Sequence, residues 1–293
     1  MAHPALALRP DTSDDSREVA LTVGAKRNPQ CPACGGAAQA AILRVFASHQ
    51  LRECAECSLQ FWELPADAQH ESAWLARERR AERLTAGQRM FLRDPLAPSR
   101  GRLLDVQCGT GVFLRAAAKA GFAAMGIETN CEAARFASGH CPRGHVFTTP
   151  LEYFAARHPR ERFDVATLFG TLAQHASPNR LLAQVRERLL MRGFLAVTVT
   201  NGRRWERGDE AAEPSERLQW NAAALRNLLR TNGFSVVSLR TVAPGVAYTA
   251  EQFGRGGRWN RAAYLPAAML AMPWVRWQRL AGPELYCLAR KLD

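Results

Sequence analysis

The apolar positions of the chain change rhythm near residue 100. From there to the C-terminus, short apolar runs alternate with longer segments of helical spacing. A strand–helix succession of this kind builds a parallel sheet with helices on both faces. The pattern predicts a strand over 103–106, a helix over 111–120 stopped by Gly121, a strand over 123–127 and a helix near 131–138. A short strand over 145–148 precedes Pro150, and Asp164 opens a fourth strand, 165–169. Pro178 starts a helix reaching about Leu190, and Gly193 leads into a fifth strand over 194–200. A helix over 221–232 ends at Gly233 and yields a sixth strand over 234–242; the last strand falls at 285–290. Ahead of this domain (99–293) the chain divides differently. Residues 1–28 are polar and aperiodic and read as a disordered tail. Residues 29–64 form a small cysteine-bearing module, and 65–98 a helical linker, with Arg, Glu and Ala concentrated over 70–93.

A length of 293 residues accommodates one α/β domain of about 200 residues plus a small module. With 47% hydrophobic residues the composition is that of a globular protein. No run of apolar residues is long enough for a transmembrane segment. Met1–Pro10 lacks a long apolar stretch, and Asp11, Asp14, Asp15 and Glu18 argue against a transit peptide, so a cytoplasmic location is expected. The net charge of +12 suggests an anionic partner. Yet Lys occurs only at 26, 119 and 291; the remaining basic residues are Arg, spread along the chain except for a concentration over 77–93. Such usage follows from GC-rich coding as readily as from selection for a polyanion. Nucleic acid is therefore retained only as the less favoured partner.

Cys31-Pro-Ala-Cys34 and Cys54-Ala-Glu-Cys57 form two C-x-x-C pairs at the spacing of a four-thiolate zinc ribbon. Each pair turns two sulfurs toward one metal. A tetrahedral zinc ion with four sulfur ligands has no open position, which makes the expected site structural. Disulfides are disfavoured in a cytoplasmic chain, and a redox motif would sit in a βαβ unit that is missing here. Cys108, Cys131, Cys141 and Cys287 show no matching spacing.

The densest chemistry lies at 103–113, Leu-Leu-Asp-Val-Gln-Cys-Gly-Thr-Gly-Val-Phe. An apolar strand ends in Asp105, enters a turn containing Gly109 and Gly111, and opens a helix. Glycines there let the backbone approach a ligand at the carboxyl end of a strand. The next apolar run closes on Glu128, where a carboxylate can hold both ribose hydroxyls. A dinucleotide fingerprint asks for a third glycine where this chain has Leu114, and Asp105 would repel a pyrophosphate. A ligand with an adenosine, a cationic centre and no phosphate suits the pattern, and S-adenosylmethionine has all three properties.

At these residues the chain resembles the class I S-adenosylmethionine-dependent methyltransferases, whose first motif is an acidic residue followed by alternating glycines and then an acidic end to the second strand. Asp105, Gly109, Gly111 and Glu128 fall on those positions; Gln107 stands where the first glycine is usual. Further similarity lies in Arg162–Leu168 as the fourth-strand motif, in Gln174-His175 and Pro178, and in Arg192-Gly193-Phe194-Leu195 before the fifth strand. Residues 214–220 are similar to an insertion of one subgroup, with Arg217 where His is usual, and members of that subgroup often carry an N-terminal zinc ribbon. The resemblance covers nearly everything from residue 30 onward. It implies a doubly wound, mostly parallel seven-stranded sheet (the Rossmann-like methyltransferase fold), a final strand inserted antiparallel, and a small N-terminal zinc ribbon.

The family's ligand crevice lies beyond the carboxyl ends of the strands. The resemblance implies that Asp105 orients the amino-acid part of the cofactor, with Gln107, Gly109, Gly111 and Glu128 around it. Thr149 and Leu151 fall in the turn bordering adenine, and Phe169 at the end of the fourth strand. Methyl transfer is an in-line displacement in which the cofactor supplies the leaving group and the protein supplies alignment. His175 is the candidate base for an acceptor proton, though a His there can equally cap a helix. Trp205, Glu216, Arg217 and Trp220 are candidate lining residues of an acceptor pocket. The segment 264–280, with Trp274, Trp277, Arg276 and Arg279, reads either as a lid helix or as a segment lying on a membrane surface. The expected function is methyl transfer to a small-molecule acceptor. Two alternatives stay open: an RNA methyltransferase that docks substrate through the ribbon, and a cofactor-binding protein that has lost turnover.

Overall fold

The computed structural model describes residues 30–36, 41–45, 50–63, 83–141, 145–203, 218–243, 265–277 and 282–293. The first elements among the described residues are three short strands, β1 (Ala41–Val45), β2 (Gln50–Glu53) and β3 (Gln60–Glu63), and then helix α1 (Ala86–Arg93). There follow β4 (Gly101–Val106), α2 (Val112–Lys119), β5 (Phe122–Glu128), α3 (Cys131–His140), β6 (His145–Thr148) and α4 (Leu151–Arg157). After β7 (Phe163–Phe169) and a 3-10 turn (Thr171–Ala173) come α5 (Pro178–Arg188), β8 (Leu189–Thr200) and the two-residue β9 (Leu218–Gln219). The chain closes with α6 (Ala222–Thr231), β10 (Phe234–Val242), α7 (Leu265–Trp277) and β11 (Glu284–Lys291).

Seven strands form one sheet in the order β10-β11-β8-β7-β4-β5-β6. The pairs β4–β5, β4–β7, β5–β6 and β7–β8 are parallel, while β11 is antiparallel to both neighbours, β10 and β8. This is the expected sheet with its inverted last strand. Alternation along the strands divides the core in two. Leu103, Val165 and Tyr286 face the layer of Phe91 from α1 and Phe113 and Leu114 from α2. Leu104, Val106, Leu168 and Val197 share the opposite core with Phe154 of α4, Leu182 of α5 and Leu228 of α6. Strands buried on both faces explain why these segments read as continuous apolar runs.

The element boundaries differ from the sequence pattern in three places. The fifth strand begins at Leu189, because its first residues pair across a register shift near Phe163 and Val165. Gly193 sits at that irregularity with the Leu190 and Asp164 carbonyls so close that a Cβ would lie 2.9 and 3.2 Å from them. Within the linker, the described helix covers only Ala86–Arg93, started by a reciprocal Thr85–Gln88 capping box. Residues 94–100 are non-helical, and 64–82 lie outside the described residues. The third difference concerns the small sheet, whose order is β1-β2-β3-β9. Its fourth strand comes from the large domain: Phe61 pairs with Leu218 and Gln60 with Gln219. The N-terminal module therefore shares a sheet and a core with the domain that follows it.

Helix α1 is pinned to β11 by a buried polar contact. The Asp94 side chain is fully buried, accepts from the Tyr286 hydroxyl at 3.1 Å and from the Leu96 N–H at 3.1 Å, and lies 3.7 Å from Arg240. Burial and the adjacent carboxylate push the Tyr286 pKa up, so the phenol remains a donor. Tyr286→Phe would strip a donor from a buried carboxylate, and we expect it to cost about 1–3 kcal/mol in urea unfolding. Arg240→Gln, at a half-exposed ion pair, should cost less than about 1 kcal/mol in the same measurement.

Candidate cofactor crevice and metal centre

The turn after β4 is built from three left-handed backbone positions: Gln107 (φ 58°), Gly109 (φ 54°) and Gly111 (φ 74°). The glycine usual at position 107 is thus replaced by a residue that keeps the same handedness, at a local cost of about 1–2 kcal/mol. Gly111 is also spatially obligatory, since a Cβ there would lie 2.9 Å from the Cys141 sulfur and 3.0 Å from the Ala137 Cβ. Cys108 packs on Gly126 of β5, where a Cβ would meet its sulfur at 2.6 Å. The turn therefore nests closely against β5 and α3.

Two carboxylates hold this turn at the carboxyl edge of the sheet. Glu128 Oε2 accepts the Gly109 N–H at 2.8 Å, and Oε1 accepts the Asn130 N–H at 2.8 Å. Each oxygen keeps a lone-pair direction for a further donor. Asp105 Oδ1 accepts from the Thr167 hydroxyl at 2.6 Å, and the Thr171 hydroxyl ties the following loop to the Val106 carbonyl at 3.0 Å. Both carboxylates are almost fully buried. Burial pushes the Asp105 pKa up to about 7; the Thr167 bond opposes this, and the nearby Glu128 charge adds to it. A cation arriving beside Asp105 would restore its charge.

Of the other sequence-predicted residues, Thr149 bonds directly to Glu128. The Thr149 N–H donates to the Glu128 carbonyl at 3.1 Å, which places the adenine-side turn directly beside Glu128. Leu151 is the first residue of α4 and its side chain belongs to the core. The Phe169 ring lies edge-on to Phe113, 4.6 Å between centroids, within an aromatic group that includes Phe91. His175 Nδ1 lies 3.0 Å from the Ser177 carbonyl and 3.2 Å from the Ser177 N–H, just ahead of α5. Burial lowers its pKa, so the ring is neutral at physiological pH. Trp220 is fully buried in the core rather than open to an acceptor, because its N–H and carbonyl bridge Thr200 and Gly202. Trp205, Glu216 and Arg217 lie outside the described residues. Thr167 and Asn130 were not singled out from the sequence. Only the pairing of β7 with β4 places Thr167 beside Asp105, whereas Asn130 carried a readable signal as a helix N-cap, accepting from the Ala133 N–H at 2.9 Å.

The four sulfurs of Cys31, Cys34, Cys54 and Cys57 lie within 4.8 Å of one another, with Cys31–Cys57 and Cys34–Cys54 at 3.6 Å. A tetrahedron of sulfurs about 2.3 Å from zinc has edges of about 3.8 Å, so the donor set and its spacing fit that ion. The two knuckles repeat one hydrogen-bond pattern. The Gly35 N–H returns to the Cys31 carbonyl and the Ser58 N–H to the Cys54 carbonyl; the Cys31 and Cys54 N–H groups then reach the Gly36 and Leu59 carbonyls. Each knuckle is also held by an asparagine of the large domain. Asn179 of α5 donates to the Ala33 carbonyl at 2.8 Å, and Asn221, the N-cap of α6, donates to the Ser58 carbonyl at 2.6 Å.

The strand order and the inverted last strand define a Rossmann-like fold with a turn between two acidic strand tips. A family model described as a methyltransferase domain matches residues 75–239, more than half of the chain. The chain belongs to that methyltransferase family, and its fold is that of the class I S-adenosylmethionine-dependent enzymes. Among solved structures it is similar to the [4+2]-cyclase SpnF, at 21% identity over 77% of this chain and 85% of that one, with a TM-score of 0.51. It is similar to an S-adenosylmethionine-dependent methyltransferase from Mesorhizobium loti at 16% identity, 70% and 98% coverage and a TM-score of 0.50. A chain of the complex between the Haloferax volcanii Trm112 methyltransferase activator and a methyltransferase matches at 18% identity, 75% and 95% coverage and a TM-score of 0.53. No curated protein sequence matches the chain significantly.

A tightly bound metal would supply on the order of 10 kcal/mol to so small a module. Because the module shares β9 and two asparagine anchors with the large domain, its loss should spread. We expect chelation under reducing conditions to release one zinc ion per chain, measured by a colorimetric metal indicator, and to lower the thermal midpoint of the whole protein. Independent melting of a small unit, with the main transition unmoved, would contradict the shared core.

Proposed function

We propose that the protein transfers a methyl group from S-adenosylmethionine to a small-molecule acceptor, with a structural zinc ion in the four-cysteine ribbon. The observation that carries this reading is the pair of buried carboxylates at adjacent strand tips, bridged by the Gly109 turn. In this reading Glu128 takes the ribose hydroxyls on its remaining lone pairs, and Asp105 faces the cationic amino-acid end. Gln107, Gly109 and Gly111 border the methionine moiety with backbone. Thr149 and Leu151 frame adenine from the adjoining turn, and the Phe169–Phe113 pair backs the crevice with an apolar wall. The left-handed backbone at Gln107 supports a competent turn rather than a degenerate one.

His175 is the proposed base for the acceptor proton. In the tautomer protonated on Nδ1, which donates to the Ser177 carbonyl, Nε2 is unprotonated and can take the acceptor's proton. The cofactor supplies the electrophilic methyl and its leaving group; the chain aligns the acceptor, excludes water and removes one proton. Docking of RNA through the ribbon receives less support, since Arg52 is taken up by Glu63 at 2.8 Å and Gln50 at 3.1 Å.

Calorimetric titration with S-adenosylmethionine tests the cofactor assignment. Below pH 7 the empty site holds a proton on Asp105 that the cationic ligand must displace. Affinity should therefore rise by up to tenfold per pH unit as pH increases toward about 7, then level off, with one proton released per binding event below that point. Asp105→Asn should bind more weakly and without this pH dependence, and a flat profile in the parent protein would exclude the ionised-carboxylate role. For catalysis, His175→Gln should leave cofactor affinity unchanged and lower turnover of a methyl acceptor by about 10²–10⁴, followed by mass spectrometry.

A further inference from the structure

Helix α7 is apolar at every position from Leu265 to Pro273 and on through Trp274, yet among its described side chains only Ala268 is buried. Leu265 is 40% exposed, Met269 64%, Leu270 83% and Trp274 50%. Four large apolar side chains exposed on one short helix make a patch of the kind that marks an interaction site. The surrounding sequence is equally one-sided. Between Glu251 and Glu284 there is no acidic residue, while Arg255, Arg258, Arg261, Arg276 and Arg279 occur there together with Trp259, Tyr264, Trp274 and Trp277. Apolar helix, interfacial aromatics and arginine flanks are the chemistry of a segment lying in the headgroup region of a bilayer.

Length and charge choose among the possible occupants. Thirteen helical residues extend about 20 Å, short of the roughly 30 Å of a hydrocarbon core, and no helix among the described residues can cross a membrane. A second copy would bring two arginine-rich, acid-free segments together and repel. Nucleic acid would satisfy the arginines and leave Met269, Leu270 and Trp274 in water. An anionic lipid surface accommodates both features.

β10 runs parallel to β8, and β11 is antiparallel to both, so the connection that carries α7 leaves the sheet after Val242 and rejoins it at Glu284, both at the carboxyl edge. Asp105, Gly109 and Glu128 lie at the same edge. We propose that α7 is a peripheral anchor that docks the carboxyl edge of the sheet onto an anionic bilayer. Resting on the methyl-transfer reading, the anchor narrows the acceptor to an amphipathic molecule reached from the lipid surface.

The test is co-sedimentation of the full-length protein with phosphatidylcholine vesicles, with and without phosphatidylglycerol. We expect binding to the anionic vesicles at least about tenfold tighter than to neutral ones, weakening with added salt. Leu270→Asp combined with Met269→Asp, at exposed positions, should reduce that binding at least about tenfold. Calorimetric affinity of the same variant for S-adenosylmethionine should be unchanged. No binding of the parent protein to anionic vesicles, or equal binding of the parent and the variant, overturns the anchor. So does concentration-dependent self-association that the variant abolishes without any vesicle binding. Vesicle binding with no heat from S-adenosylmethionine would instead sustain the anchor and sink the cofactor reading.

Discussion

The bond from the Gly109 N–H to the Glu128 carboxylate holds the turn after β4 against the tip of β5. Everything proposed for the crevice depends on it. A carboxylate buried this deeply needs donors, and the turn supplies one that only an open, left-handed backbone can present. The Asn130 N–H supplies the second and begins α3 at the same point. Asp105 reaches a parallel solution across β7 through Thr167. Three adjacent strands are thereby tied at their carboxyl ends by side-chain bonds as well as by the sheet ladder. The two acidic groups are close enough for the Glu128 charge to raise the Asp105 pKa.

The ribbon is a second centre of order, and it is built into the domain. Its cysteines share a core with Leu59, Phe61, Leu218 and Trp220, and its sheet is completed by β9. Asn179 and Asn221 belong to the starts of α5 and α6, so the two knuckles fix where both helices begin. The start of α5 also follows His175. The knuckles and the position of the proposed base are consequently linked through a few backbone carbonyls.

The structure also separates residues that the sequence pattern treats alike. Leu151 and Phe169 occupy family-like positions, but their side chains are core components. Trp220 lies in an insertion that suggests an acceptor pocket, yet backbone pairing to Thr200 and Gly202 turns it inward. Tertiary pairing decides these cases, since a one-residue change of register sends a side chain to the opposite face.

The seven strands, the four-cysteine cluster and the acidic pair around the glycine turn were legible in the sequence because each has a local cause, while the inverted last strand followed only from the family resemblance. Buried strands demand apolar runs, knuckles demand cysteines two residues apart, and a turn that approaches a ligand demands glycine. The extra start of β8, the partner role of Thr167, the strand shared between ribbon and domain and the asparagine anchors were not legible. Each arises between segments far apart in sequence, such as Phe61 with Leu218 or Ser58 with Asn221. Local propensity fixes what a segment can form; only the packed chain decides which distant groups must satisfy one another.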